Sequence, residues 1–441
     1  MKLFGTDGIR GKAGQAPLDR TTVARVGAAL AHARGRELRV VIGRDTRESG
    51  PWIEEELARG LVSGGATVVS AGVVPTPAVA YLARTEGFDA GVVISASHNP
   101  YDDNGIKVFS GSGEKLTGSF EAEIERLVAD PSWQVPAGAQ AVIERGDLSG
   151  PYLDHLRHVL DSAGPLAGSR VVIDCANGAT ASLAPAFFAS LGLAVTAIGV
   201  EPNGRNINLD CGSTHLEGLA AAVVSSGARL GIAFDGDGDR ALLVDHAGQL
   251  VDGDAILLMA AAHLQHEGRL PGPAVVATVM SNLGLELALR ERGIEMVRCA
   301  VGDKYVMEEM VRRGLALGGE QSGHVIFADH LFTGDGMATA LHVLRIMAAT
   351  GQELAALAAA MVNYPQVLVN VRVREKADYM AVPAIAEAVH RAESSLAGHG
   401  RLLVRYSGTE PLLRIMLEGK DGGEIRAWAD EIAGAVRQHL A

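Results

Sequence analysis

Aromatic residues are scarce in this chain, at 4% of 441 residues, so its cores must be built from Ala, Val, Leu and Ile. Cysteine is scarcer still: Cys175, Cys211 and Cys299 stand far apart with no CxxC spacing. That excludes a disulfide framework and suits a reducing compartment. No apolar stretch of about 18 residues runs free of polar punctuation, and the N-terminus lacks the apolar core of a secretory signal. A cytoplasmic protein with no membrane partner is therefore expected. Positive charge is in deficit, with 39 Lys plus Arg against 52 Asp plus Glu and a formal net charge of −13. Such a balance argues against nucleic acid as the main partner. A small anionic substrate stays compatible, because a few arginines can make a cleft locally positive.

Hydrophobic residues at 48% and charged residues at 21% describe a soluble globular protein, and the length calls for about two to four domains. Strand-like β-branched runs alternate with Ala/Leu-rich helical segments, restarting at Val40-Val41-Ile42, at Val171-Val172-Ile173 and at Ala274-Val275-Val276. This is the α/β pattern of parallel or mixed sheets covered by helices. The expected domains are residues 1–150, 151–253 and 254–364, each α/β, followed by a smaller α+β domain over 365–441. A loose segment from Pro131 to Gly150 marks the first boundary, and Asn363-Tyr364-Pro365 the last.

The most informative stretch is Phe234-Asp235-Gly236-Asp237-Gly238-Asp239-Arg240. Three carboxylates this close repel one another and need a compensating cation. An all-oxygen set of high charge suits a hard divalent ion such as Mg²⁺. Gly236 and Gly238 let the backbone bend, and Arg240 offers a guanidinium fork for a phosphate beside the metal.

Other loops carry compatible chemistry. Ser95-Ala96-Ser97-His98-Asn99-Pro100 follows a buried strand, where α/β sheets tend to hold ligands. A serine there can accept a phosphoryl group, and the residues alone leave Ser95 and Ser97 both open. Lys107 lies ten residues on, suited to neutralising phosphate or shuttling a proton. Glu320-Gln321-Ser322-Gly323-His324 offers a carboxylate, an amide, a hydroxyl and an imidazole to sugar hydroxyls. Arg405-Tyr406-Ser407-Gly408-Thr409-Glu410-Pro411, with Arg414 on the next strand, makes a phosphate cradle. Phe4-Gly5-Thr6-Asp7-Gly8-Ile9-Arg10-Gly11 adds another arginine among glycines.

In that order and at those separations, the five loops resemble the α-D-phosphohexomutase family from end to end. The opening Phe-Gly-Thr-Asp-Gly-Ile-Arg-Gly and the Gln at 321 resemble the branch acting on glucosamine phosphates. The resemblance implies four domains around a central cleft and interconversion of glucosamine 6-phosphate and glucosamine 1-phosphate, feeding UDP-N-acetylglucosamine synthesis. It implies Ser97 as the phosphoserine, with Mg²⁺ held by Asp235, Asp237, Asp239 and an oxygen on Ser97. A sugar 1,6-bisphosphate is then both primer and intermediate. Glu320 and Ser322 would meet sugar hydroxyls, and Arg240 and Asp303 would also face substrate. Arg405, Ser407, Gly408, Thr409 and Arg414 would grip the phosphate that is not reacting. His98, Lys107, Arg10 and His324 would manage charge and protons at the reacting oxygen, the acid and the base being left unassigned. A homodimer is left open. The rival readings are a phosphoglucomutase or phosphomannomutase of the same family, a metal-dependent phosphatase with an aspartyl nucleophile, and a non-catalytic sugar-phosphate sensor.

Overall fold

The computed structural model describes residues 2–35, 37–407 and 411–441. The chain divides into two compact units, residues 1–280 with 294–360, and residues 281–293 with 361–441. Among the described residues the strands form four sheets, and no helix is long and apolar enough to cross a membrane.

The first unit contains three mixed sheets. The largest has seven strands in the order Phe4–Gly5, Gly8–Lys12, Asp103–Ser110, Ala90–Ile94, Arg39–Arg44, Thr67–Val73, Ile143–Arg145. Its central strands are covered on both faces: Val40, Val41, Ile42, Val92, Val93 and Ile94 are all fully buried, which is why they read as continuous apolar runs. Helices Arg20–Arg34 and Gly50–Ser63 pack against each other at glycines, and a Cβ on Gly60 would come within 1.9 Å of the Ala24 carbonyl. The stretch 131–150, expected to be loose throughout, contains the edge strand Ile143–Arg145, paired in parallel with Thr67–Val73. Three residues with a single apolar side chain are too short to show as a strand in sequence.

The second sheet runs Leu250–Val251, Ala241–Asp245, Leu230–Phe234, Arg170–Asp174, Ala194–Ile198, and the third Glu295–Cys299, Ala274–Thr278, Leu317–Gly319, Val325–Phe327. The third strand of that last sheet sits two residues later than the Leu315 to Leu317 expected from hydrophobicity. Gly318 and Gly319 extend it because their missing side chains admit close neighbours: a Cβ on Gly319 would lie 2.6 Å from the His324 carbonyl. All three sheets share one device. A strand with a parallel neighbour ends in a loop and returns antiparallel, as in Ala90–Ile94 with Asp103–Ser110, Leu230–Phe234 with Ala241–Asp245, and Leu317–Gly319 with Val325–Phe327. The serine loop, the acidic run and the Glu320 loop are these three returns.

The second unit is a three-stranded antiparallel sheet, Gln366–Arg372, Leu412–Gly419, Gly400–Tyr406. Helices Pro383–Leu396 and Gly422–His439 bury Ile385, Val389, Ile425, Ile432 and Val436 in its core.

Away from the three loops, Tyr81 stacks on His155 with ring centroids 4.4 Å apart, and His155 stacks on His330 at 4.2 Å. His330 Nε2 lies 3.0 Å from Asp335, which also accepts the Tyr152 hydroxyl. Burial first, then the neighbouring His330, pushes the His155 pKa down from 6.5 to about 4. Between those values the unfolded chain binds a proton that the folded one refuses. The stability due to this ring is therefore complete above about pH 6.5 and is lost as pH falls toward 4. Unfolding midpoints should drop across that window, and less steeply in His155→Phe; equal slopes would show that another group titrates.

Candidate active site

Ser97 begins the return after strand Ala90–Ile94 and has φ +52°, a left-handed backbone in a residue only 1% exposed. Its Oγ donates to Asp235 Oδ2 at 2.5 Å and lies 3.2 Å from His98 Nδ1. The structure thus puts Ser97 against the acidic run, whereas the Ser95 hydroxyl donates to Asp45 at 2.6 Å and accepts the Ser97 N–H. Two glycines allow the approach. Gly238 has φ +71°, and a Cβ on Gly236 would stand 2.5 Å from the Ser97 carbonyl.

Asp235, Asp237 and Asp239 are buried and offer carboxylate oxygens within 4.8 Å of one another. Lys107, on strand Asp103–Ser110, sends its ammonium among them, 2.8 Å from Asp237 Oδ2, 2.9 Å from Asp239 Oδ2 and 3.1 Å from Asp7. Burial opposes that charge, yet Asp237 and then Asp239 hold the Lys107 pKa well above its ordinary value. The lysine expected to meet phosphate or carry a proton is therefore an ion-paired cation inside the acidic run. It does not neutralise the whole trio. Burial, then Asp239 and Asp237, drives Asp235 well above the usual carboxylate range. Among the described residues, Oδ1 of both Asp237 and Asp239 is buried with no hydrogen-bond partner. Hard oxygen donors, mutual repulsion among the three acids and unsatisfied lone pairs fit a divalent cation such as Mg²⁺. Asp239, Asp303 and His324 also lie within 4.8 Å of one another, but Lys115 already pairs with Asp303.

Around the trio, Arg240 Nε stands 3.8 Å from Asp239 and its main-chain N–H donates to Asp235 Oδ1 at 3.2 Å. Arg10 pairs with Asp7, and Lys115 bridges Asp7 and Asp303. His324 places Nδ1 3.6 Å from Asp239 and Nε2 3.6 Å from Asp303. Burial disfavours a cation there, but Asp239 and Asp303 draw the pKa above its ordinary value. The Gly334 N–H pulls the other way by donating to Nε2 at 3.0 Å. That bond is the shorter contact, needs a lone pair on Nε2, and so sets the ring proton on Nδ1 facing Asp239. His98 is driven down to about 4, by burial and then by Arg240 and Arg10, and is neutral beside Ser97.

Glu320 accepts the Gly302 N–H at 3.1 Å, and the buried Ser322 Oγ has no partner among the described residues. Gln321 turns back to donate to Asp252 at 3.2 Å, so it shapes the loop from behind. In the second unit, Arg405 and Arg414 are register partners on adjacent strands, which puts two like charges opposite each other. Arg414 Nη2 reaches Ser407 Oγ at 3.5 Å, and Lys376 Nζ donates to the Ser407 carbonyl at 2.7 Å. Gly408 and Thr409 lie outside the described residues.

Comparison with known proteins decides the lineage. Four domain profiles of the phosphoglucomutase/phosphomannomutase family match in order: α/β/α domain I over residues 1–134, domain II over 150–248, domain III over 252–364 and the C-terminal domain over 368–435. The chain belongs to the phosphohexomutase family. A phosphoglucosamine mutase from Solibacter usitatus is 53% identical over 99% of this chain and 99% of its own. One from Moorella thermoacetica is 52% identical over 96% of each. A crystal structure of a phosphoglucomutase/phosphomannomutase family protein from Burkholderia thailandensis superposes with a TM-score of 0.80 at 27% identity, covering 98% of this chain and 97% of that one.

Within this phosphohexomutase, Asp7, Lys115, Thr76 and Lys376 were not singled out in the sequence. Thr76 donates to Asp237 Oδ2 at 2.6 Å across 161 residues, and nothing local advertises such a contact. Asp7 and Lys115 gain their roles from tertiary ion pairs, Asp7 with Lys107 and Lys115, and Lys115 also with Asp303. Lys107→Met should leave Asp7, Asp237 and Asp239 without their shared cation, at a cost of about 3–5 kcal/mol. The melting temperature should fall, and added Mg²⁺ should restore part of the loss. A variant melting like the wild type would show the ammonium to be dispensable.

Proposed function

We propose that the protein is a phosphoglucosamine mutase, interconverting glucosamine 6-phosphate and glucosamine 1-phosphate in the cytoplasm and supplying UDP-N-acetylglucosamine synthesis. The observation that carries the reading is the Ser97 hydroxyl, 2.5 Å from Asp235 in a buried left-handed turn. A nucleophile already in contact with a metal-ready trio is what a phosphoserine carrier requires. Full-length relatives named phosphoglucosamine mutase at 53% and 52% identity support the amino-sugar substrate.

Asp235, Asp237 and Asp239 would hold Mg²⁺ together with an oxygen on Ser97, and the ion supplies charge neutralisation for the phosphoryl group in flight. The chain's own residues do the rest. The bond from phosphorus to Ser97 Oγ breaks as a bond to the free sugar hydroxyl oxygen forms; that hydroxyl gives up its proton and Ser97 Oγ takes one up, giving a 1,6-bisphosphate and a free serine. The bisphosphate reorients, and its other phosphate returns to Ser97. Arg240 and Arg10 balance the oxygens of the moving group. Lys107, paired with Asp7, Asp237 and Asp239, manages charge beside the reacting oxygen. His324, with its ring proton on Nδ1, and Asp303 face the sugar side of Asp239. Glu320 and the unpartnered Ser322 hydroxyl meet sugar hydroxyls. Arg405, Ser407, Gly408, Thr409 and Arg414 are assigned to the phosphate that is not reacting. A phosphoglucomutase or phosphomannomutase specificity is the second reading, favoured by the names of the matching domain profiles; turnover on the three sugar phosphates side by side separates them.

Ser97→Ala should lose turnover on glucosamine 6-phosphate and the covalent phosphate in an intact-mass spectrum. Retained turnover would sink the assignment. Asp237→Asn should fold, with a melting curve near the wild type's, and lose Mg²⁺-dependent activity; an unchanged Mg²⁺ titration of activity would remove the trio as the metal site.

A further inference from the structure

The serine at the centre of that reading is gripped by a residue with no chemistry of its own. Arg47 follows strand Arg39–Arg44 and is fully buried. A guanidinium carries five N–H donors in one plane, and here each has an acceptor. Nε donates to Asp45 Oδ2 at 2.8 Å. Nη1 donates to the carbonyls of Pro100 and, at 3.0 Å, Asp103. Nη2 donates to the carbonyls of Ser97 at 3.0 Å and Asn99 at 2.8 Å. Four main-chain oxygens of one loop thus converge on a single cation.

Asp45 supplies the counter-charge and extends the grip. It accepts the Arg47 main-chain N–H at 3.0 Å and the Ser95 hydroxyl at 2.6 Å, and that hydroxyl accepts the Ser97 N–H at 2.9 Å. Both main-chain polar groups of Ser97 are therefore fixed from one buried ion pair. Asn208, from a loop of the next sheet's domain, adds a second donor to the Ser97 carbonyl at 2.9 Å. Serine enters the left-handed region only where its surroundings enforce it. Relaxation to an ordinary backbone would swing Cβ, and Oγ with it, away from Asp235.

We propose that Arg47 is a positioning residue for phosphoryl transfer: it holds Ser97 in the conformation that aims Oγ, and then its phosphate, at the acidic trio. The proposal rests on Ser97 being the carrier. Lysine would keep the charge but concentrates its donors at one point, and cannot span four carbonyls and a carboxylate.

The test compares full-length wild type, Ser97→Ala, Arg47→Lys and Asn208→Ala. Each is assayed for steady-state turnover, for phosphate taken up at residue 97 from a sugar 1,6-bisphosphate, and for the share of that phosphate lost to water instead of sugar. Normalised to folded protein, Arg47→Lys should lower kcat about 100-fold with KM little changed, and raise the share lost to water. A purely structural role would lower yield and melting temperature while leaving that share and the normalised kcat as in wild type, which would overturn the proposal. Should Arg47→Lys not fold, Asn208→Ala decides by the same partition: a shift toward water supports the proposal, and an unchanged partition overturns it. Failure of the underlying reading is distinct, since Ser97→Ala would then turn over or the wild type would take up no phosphate at residue 97.

Discussion

Sealing three carboxylates from water next to the Ser97 hydroxyl creates an electrostatic problem that the rest of the first unit is built around. Asp235, Asp237 and Asp239 end a strand of one sheet, and the ammonium that relieves them comes from a strand of another. Neither element is stable in this form alone, because a lone buried charge is among the most costly things a fold can contain. The pairing therefore couples folding to site assembly. It does not relieve the crowding altogether: Asp235 stays well above the usual carboxylate range even with Lys107 in place, because burial and the other two acids oppose its charge.

Charge of one sign is also gathered in the second unit, where Arg405 and Arg414 sit directly across a strand pair. The overall charge of −13 reveals neither that pair nor the acidic trio, because each is local.

Much of this was legible in the sequence, since chemistry placed at strand ends leaves compact motifs. The acidic run, the serine loop and the Glu320 loop each occupy five to seven consecutive residues, and each begins at a strand end as expected. Ser95 and Ser97 were indistinguishable because which of two neighbouring serines faces the acidic run is a question of backbone direction, and it is the left-handed turn that points Ser97 at Asp235. The carboxylate partners of Lys107 were not legible: a lysine near a phosphate motif does not announce that it will pair with acids over a hundred residues away. Thr76, Lys115 and Arg47 were invisible for the same reason, as their contacts are made by tertiary packing. The edge strand Ile143–Arg145 was hidden by its shortness, and the third-sheet strand Leu317–Gly319 by glycines chosen for space.

The contact at Gly236 has a mechanical corollary. With the serine carbonyl where a side chain would otherwise be, and with Asn208 tied to that same carbonyl, the serine loop and the acidic run lean on each other as parts of one block. Even a methyl group at residue 236 would wedge the two loops apart, so the closeness of the Ser97 hydroxyl to Asp235 depends on what stands at that position.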